Sequence, residues 1–242
     1  MRAFTSIFLF LISGCVGNHQ SLPPNFKYIV VQTPTYAVAT WQKINNPKNN
    51  NIHIYLEGDG HAYNALGLPT NDPTPHSVLM KRLAVQDTFD NVVYMARPCQ
   101  FIMDKHCTQQ DWTTGRFAQR IIDAQTNAIN QIAKDKQITL VGYSGGAMVS
   151  GLIIKQNPWM RFEKWITVAG VLDHQKWTNY FGDPPLTESL NMNTLPNVPQ
   201  THFIGARDKT VPYDLARQWA PIDTLIVIDN ATHDNFDNLK LF

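Results

Sequence analysis

The sequence predicts an α/β fold: a mostly parallel, eight-stranded sheet with helices on both faces and no large lid domain. Three observations carry this prediction. Eight short runs rich in apolar and β-branched residues are spread over residues 28–228, and helical patterns separate several of them. One run also turns straight into a helix at Gly142-Tyr143-Ser144-Gly145-Gly146. At 242 residues the chain is long enough for one domain with a substantial core.

The candidate strands are Tyr28–Gln32, Tyr36–Gln42, Ile52–Leu56, Val92–Ala96, Ile138–Val141, Trp165–Ala169, Thr201–Ile204 and Leu225–Ile228. The first two read as a hairpin. The later ones are continuous apolar runs, the pattern of strands covered on both faces. Phe117, Ile121, Ala124, Ala128 and Ile132 recur every three or four residues and predict a helix over 116–132. Weaker helical patterns lie at 78–84 and 213–219, and Ala147, Met148, Leu152 and Ile153 predict a helix directly after Ser144.

A strand that turns sharply into a helix forces its corner residue into a strained backbone and presents that side chain outward. Gly142 and Gly146, two before and two after Ser144, keep neighbouring side chains from colliding across the corner. The helix N-terminus beside the hydroxyl favours negative charge. Ser144 is therefore a candidate nucleophile, provided a base can take its proton and a carboxylate can orient that base.

The first residues predict a segment outside the fold. Met1-Arg2 carries one positive charge, residues 3–12 are apolar, and Ser13-Gly14-Cys15 places small residues before a cysteine, the order of a secretory signal. The apolar stretch is too short to span a bilayer as a stable helix. Ile12-Ser13-Gly14-Cys15 also resembles the lipobox of bacterial lipoproteins. That resemblance implies a signal peptide over 1–14, lipidation of Cys15, a polar tether over 15–27 and a domain over 28–242. The expected location is the bacterial cell envelope, lipid-anchored and facing the periplasm or exterior; the alternative is a plain signal peptide with an unrelated cysteine. Setting Cys15 aside leaves Cys99 and Cys107, which an oxidising compartment would allow to pair as a disulfide, the alternative being two free thiols. With only His106 beside them, a metal ligand set is incomplete.

The Ser144 corner after the fifth strand, together with the segments that follow, resembles the α/β-hydrolases. In that superfamily the partners of the serine follow as an acid and then a histidine, each on a loop after a later strand. Gly205-Ala206-Arg207-Asp208-Lys209-Thr210-Val211-Pro212 looks like the acid loop, so the resemblance implies Asp208 as the acid. His233, shortly after the Leu225–Ile228 run, is implied as the general base. Asp173, after the Trp165 run, is the competing acid. His202 is expected to pack in the core, and His61, His76, His106 and His174 have no matching strand-end position. Asp229 is expected in a surface turn and Asp234 as the cap of a final helix. Backbone N–H groups of Gly145 and Asp59 are implied as the oxyanion donors, with Gly60 or Gly58 the alternatives to Asp59, and the Asp59 side chain is expected to be held by its own loop or by Arg97. Glu57-Gly58 departs from the His-Gly that many superfamily members carry there.

Leu56-Glu57-Gly58-Asp59-Gly60, Arg97-Pro98-Cys99 and the Leu172–Thr178 segment further resemble a group of bacterial lipoprotein-type α/β-hydrolases across 28–242, a group that brings no known substrate with it. The implied activity is hydrolysis of carboxylic esters through an acyl-enzyme on Ser144, with no metal or organic cofactor and a small-molecule ester as partner. The alternatives are an amidase or peptidase on the same residues, or a non-catalytic envelope-binding lipoprotein. The thirty residues Val171–Gln200 suffice for a rim, and Trp177, Tyr180 and Phe181 there either line a pocket or pack over the sheet. With 20 basic and 19 acidic residues the formal charge is +1, so nothing in the balance points to nucleic acid.

Overall fold

The computed structural model describes residues 22–242, so the expected signal, the Cys15 lipidation site and most of the tether lie outside the described residues. Eight strands form one sheet: β1 (Lys27–Gln32), β2 (Ala37–Ile44), β3 (Asn51–Leu56), β4 (Asn91–Met95), β5 (Gln137–Tyr143), β6 (Phe162–Val168), β7 (Gln200–Gly205) and β8 (Leu225–Ile228). Their spatial order is β1-β2-β4-β3-β5-β6-β7-β8. β1 and β2 pair antiparallel, β2 pairs antiparallel with β4, and every other pairing is parallel. All eight expected strands form. Among the described residues no helix is long and apolar enough to cross a membrane.

The crossovers between parallel strands carry α1 (Leu79–Gln86), α2 (Gln119–Ala133), α3 (Gly145–Gln156), α4 (His174–Phe181) and α5 (Tyr213–Ala216). Helix α2 begins three residues later than its periodicity predicts, because Arg116 and Phe117 are buried ahead of it rather than on its face. One core layer is built from α2 and α3 against Ile52, Ile54, Ile138, Leu140 and Trp165. The opposite layer packs Leu79, Met80 and Leu83 of α1 against Tyr55, Tyr94, Val141 and Ile166. The alternation of neighbouring strand residues between these two layers is the period-two geometry of a sheet covered on both faces. That covering stops at β8, where Ile226 and Val227 are exposed: the strand is at the edge, and α5 has only four residues to lay over it.

A strand-order consequence places the chain's entry. Since β1 runs parallel to β3, the chain comes to the sheet from the side where β3 and β5 begin, and Lys27 aligns through Gln42 and Val93 with Ile54, midway along β3. Phe26 at that entry is already buried, with Lys43 Nζ 5.7 Å over its ring. Cys99 and Cys107 form a disulfide, with Cα atoms 5.7 Å apart, in the loop after β4.

His202 lies fully buried on β7. Its Nδ1 is 2.8 Å from Thr167 Oγ1 and its Nε2 is 3.0 Å from Gln200 Oε1. The Gln200 amide nitrogen donates to the carbonyls of Pro196 and Val198, so Oε1 accepts and a neutral ring satisfies every partner. Burial pushes the imidazole down to about 4. The unfolded chain takes up a proton near pH 6.5, so stability is complete above that pH and is lost as pH falls toward 4. Through this residue, acidification across that window is expected to remove about 3 kcal/mol. Thermal melts of His202→Gln between pH 4 and 7 should show a flatter pH dependence than the parent, and an unchanged slope would contradict the assignment.

Candidate active site

The β5–α3 corner exists because two backbones approach where no side chain could fit between them. A Cβ on Gly146 would sit 2.4 Å from the Glu57 carbonyl oxygen and 2.8 Å from that of Leu56. One on Gly142 would meet Ser150 Oγ at 2.5 Å and the Gly146 oxygen at 2.6 Å. Between them Ser144 adopts φ 50°, ψ −123°, which costs on the order of 1–3 kcal/mol for a residue with a Cβ. The surrounding bonds over-determine it: Ser144 N–H donates to Val168 O at 3.1 Å, and its own carbonyl accepts from Val171 N and Ala147 N at 3.0 Å each.

The strand ends then bring the other two residues to it. Ser144 Oγ lies 3.0 Å from His233 Nε2, and His233 Nδ1 lies 2.9 Å from Asp208 Oδ2. A carboxylate only accepts, so Nδ1–H donates to Asp208 and Nε2 is left to accept from the serine hydroxyl. Asp208 follows β7, and its other oxygen accepts from Thr210 N and Val211 N at 2.8 Å each. Its loop is tied to the histidine loop by Arg207 N–H donating to Ala231 O at 2.9 Å. Ser144, Asp208 and His233 are thus assembled by three different strand ends.

The remaining candidates are placed elsewhere. Asp173 caps α4, accepting from Gln175 N and Lys176 N at 3.1 Å each and from Asn191 Nδ2 at 2.9 Å. Asp229 is an exposed turn residue and His106 is exposed. His174 is buried at the start of α4, while His61 and His76 stack on each other at 4.1 Å beside the pocket. Asp234 corrects the expectation that it caps a final helix: no helix follows β8 among the described residues, and its Oδ1 accepts from Tyr143 OH at 2.5 Å.

The serine opens on a cavity of about 550 Å³ lined by Tyr63, Arg116, Trp177 and His233 among others. Trp177 is fixed at the rim by Nε1 donating to Thr210 O at 2.7 Å, whereas Tyr180 and Phe181 are exposed and line nothing there. Among the described residues, neither Gly145 N–H nor Asp59 N–H makes a hydrogen bond. Glu57 turns into the interior, where Tyr94 OH donates to it at 2.7 Å and burial raises its carboxyl above the ordinary range. Asp59 is bridged by Arg97 as expected and also by Arg116, a residue whose place at the start of a helical pattern gave no signal of this role.

No protein-family model and no curated protein sequence matches the chain. Solved structures do match. An α/β serine hydrolase without a lid from Xanthomonas campestris aligns over 88% of this chain and 87% of its own, with TM-score 0.54 and 12% identity. This is the α/β-hydrolase fold. Est1E from Butyrivibrio proteoclasticus aligns at TM-score 0.57 and 12% identity, over 85% of this chain and 90% of its own. The Pyrococcus furiosus esterase Pf2001 aligns at 0.55 and 15%, over 86% and 84%. The lidless arrangement agrees with the short segment between β6 and β7, which in this chain carries only α4 and irregular rim.

The glycine approaches generate a direct test. Gly146→Ala should overpack the corner and destabilise the protein by about 1–3 kcal/mol, read by denaturant melts. Unchanged stability would mean that the backbones at this corner are not held as described.

Proposed function

We propose that the protein is a serine hydrolase that cleaves carboxylic esters through an acyl-enzyme on Ser144. The observation that carries this reading is the relay Ser144 Oγ–His233 Nε2–His233 Nδ1–Asp208 Oδ2, with contacts of 3.0 and 2.9 Å, opening on a cavity. His233 takes the hydroxyl proton as Ser144 Oγ bonds to the acyl carbon. Asp208 keeps the proton on Nδ1 and stabilises the imidazolium. His233 then gives its proton to the leaving alkoxide, and water reverses the sequence to free the acid and restore Ser144. Gly145 N–H and Asp59 N–H receive the oxyanion. The Pyrococcus furiosus neighbour is named an esterase, which supports an ester as the substrate class.

The rim favours short or accessible acyl groups, since α4 and its flanking coil cannot enclose a long chain. The N-terminal lipobox-like sequence supports export and anchoring through Cys15, and the Cys99–Cys107 disulfide suits an oxidising compartment.

Labelling with a fluorophosphonate is expected in the parent and absent in Ser144→Ala, with hydrolysis of short p-nitrophenyl esters lost in parallel. Asp208→Asn should lower kcat by about 10⁴-fold through the wrong imidazole tautomer. A folded parent that neither labels nor hydrolyses any ester in a graded chain-length series would refute the reading, and faster turnover of long chains would refute the rim argument. For the anchor, incorporation of labelled palmitate in a bacterial host should disappear in Cys15→Ala.

A further inference from the structure

We propose that a buried arginine clamp, Arg97–Asp59–Arg116 with Gln100, positions the second oxyanion donor of this site. The proposal rests on the acyl-transfer reading above and adds how its transition-state charge is accommodated.

The difficulty is visible in the geometry. A Cβ on Gly145 would lie 2.0 Å from Asp59 Oδ1, so the Asp59 carboxylate is packed directly against the residue after the nucleophile. An unbalanced anion there would repel a developing oxyanion, and it would offer the free Gly145 N–H a competing acceptor. The structure prevents both. Arg97 Nη1 takes Oδ1 at 3.1 Å and Arg116 Nη1 takes Oδ2 at 2.8 Å, so each carboxylate oxygen is turned to a guanidinium. Two cations and one anion leave the cluster with one net positive charge beside the oxyanion position. Burial alone would raise the Asp59 carboxyl, yet Arg116 and Arg97 outweigh it and hold the group below the ordinary carboxylate range.

The clamp is also fixed from behind. Arg116 Nε donates to Thr113 O at 2.7 Å, and Arg97 Nη2 donates to Arg116 O. Gln100 closes the loop: its Oε1 accepts from Arg97 N at 2.9 Å and its Nε2 donates to Gly58 O at 2.9 Å. Gly60, at φ +67°, has its Cα so near Pro73 O that a Cβ would sit 2.1 Å from it, which blocks retreat on the other side. The Asp59 backbone is therefore gripped through its own side chain, through the Gly58 carbonyl and through Gly60. Its N–H is the part left free. The side chains of Asp59, Arg97, Arg116 and Gln100 act as positioning groups: they hold the 58–60 backbone and take no part in bond making or breaking.

The experiment compares Asp59→Asn, Arg97→Lys and Gln100→Ala with the parent, using the full chain and a p-nitrophenyl ester, with rates per active site from endpoint fluorophosphonate titration. Gln100→Ala removes neutral hydrogen bonds without stranding a buried charge, so it keeps the test open if a charge variant fails to fold. The expected result is a fall in kcat of about 10-fold or more with KM within about threefold. A trifluoromethyl ketone should bind more weakly by a similar factor, while the pH midpoint of kcat/KM stays in place. Parent-like kcat per titrated site, or unchanged affinity for the ketone, would overturn the clamp. A parent that hydrolyses no ester would instead overturn the underlying reading.

Discussion

Everything in the site depends on one close approach, the passage of the start of α3 over the carbonyls at the end of β3. That approach sets the turn angle after β5, and the turn angle sets where the Ser144 hydroxyl points. It also brings the 57–60 loop against Gly145, so the position of the Ser144 hydroxyl and that of the loop beside it are consequences of a single packing constraint. The unfavourable backbone at Ser144 survives because hydrogen bonds from β6 and from the segment after it leave that residue no alternative.

Around this corner the protein handles three carboxyl groups in three ways. Asp59 is balanced by cations. Glu57 is buried against a phenol and pushed toward its neutral form. Asp234 takes the hydroxyl of Tyr143, whose ring lies 5.3 Å from that of His233. Only Asp208 is placed to act on the histidine. The same residue type thus fills separate roles according to what surrounds it, and the surroundings come from distant parts of the chain.

That division explains what the sequence could reveal. Strands, the serine corner, and the order Ser144, Asp208, His233 are legible because each is encoded in a few consecutive residues. A local pattern also placed His202 in the core, while charge alone suggested that the Asp59 carboxylate would be held by its own loop or by Arg97, and the structure shows Arg97. Arg116 and Gln100 were not legible: they act on an Asp59 side chain 57 positions away and a Gly58 carbonyl 42 positions away, and their own neighbourhoods read as helix start and loop. Asp234 misled for the opposite reason. Beside a histidine and before an apolar segment it looks like a helix cap, but its partner is Tyr143, 91 residues earlier. Ile226 and Val227 misled likewise, because an apolar run does not disclose whether a helix will be long enough to cover it.

The direction of the first strand has a consequence of its own. With β1 running towards the end of the sheet that carries Ser144, the chain comes to it from the side where β3 and β5 begin. A fixed attachment on that side would act as a stalk and leave the cavity mouth turned outward. Such a molecule would sample what diffuses past in water more readily than what lies embedded in the surface that carries it.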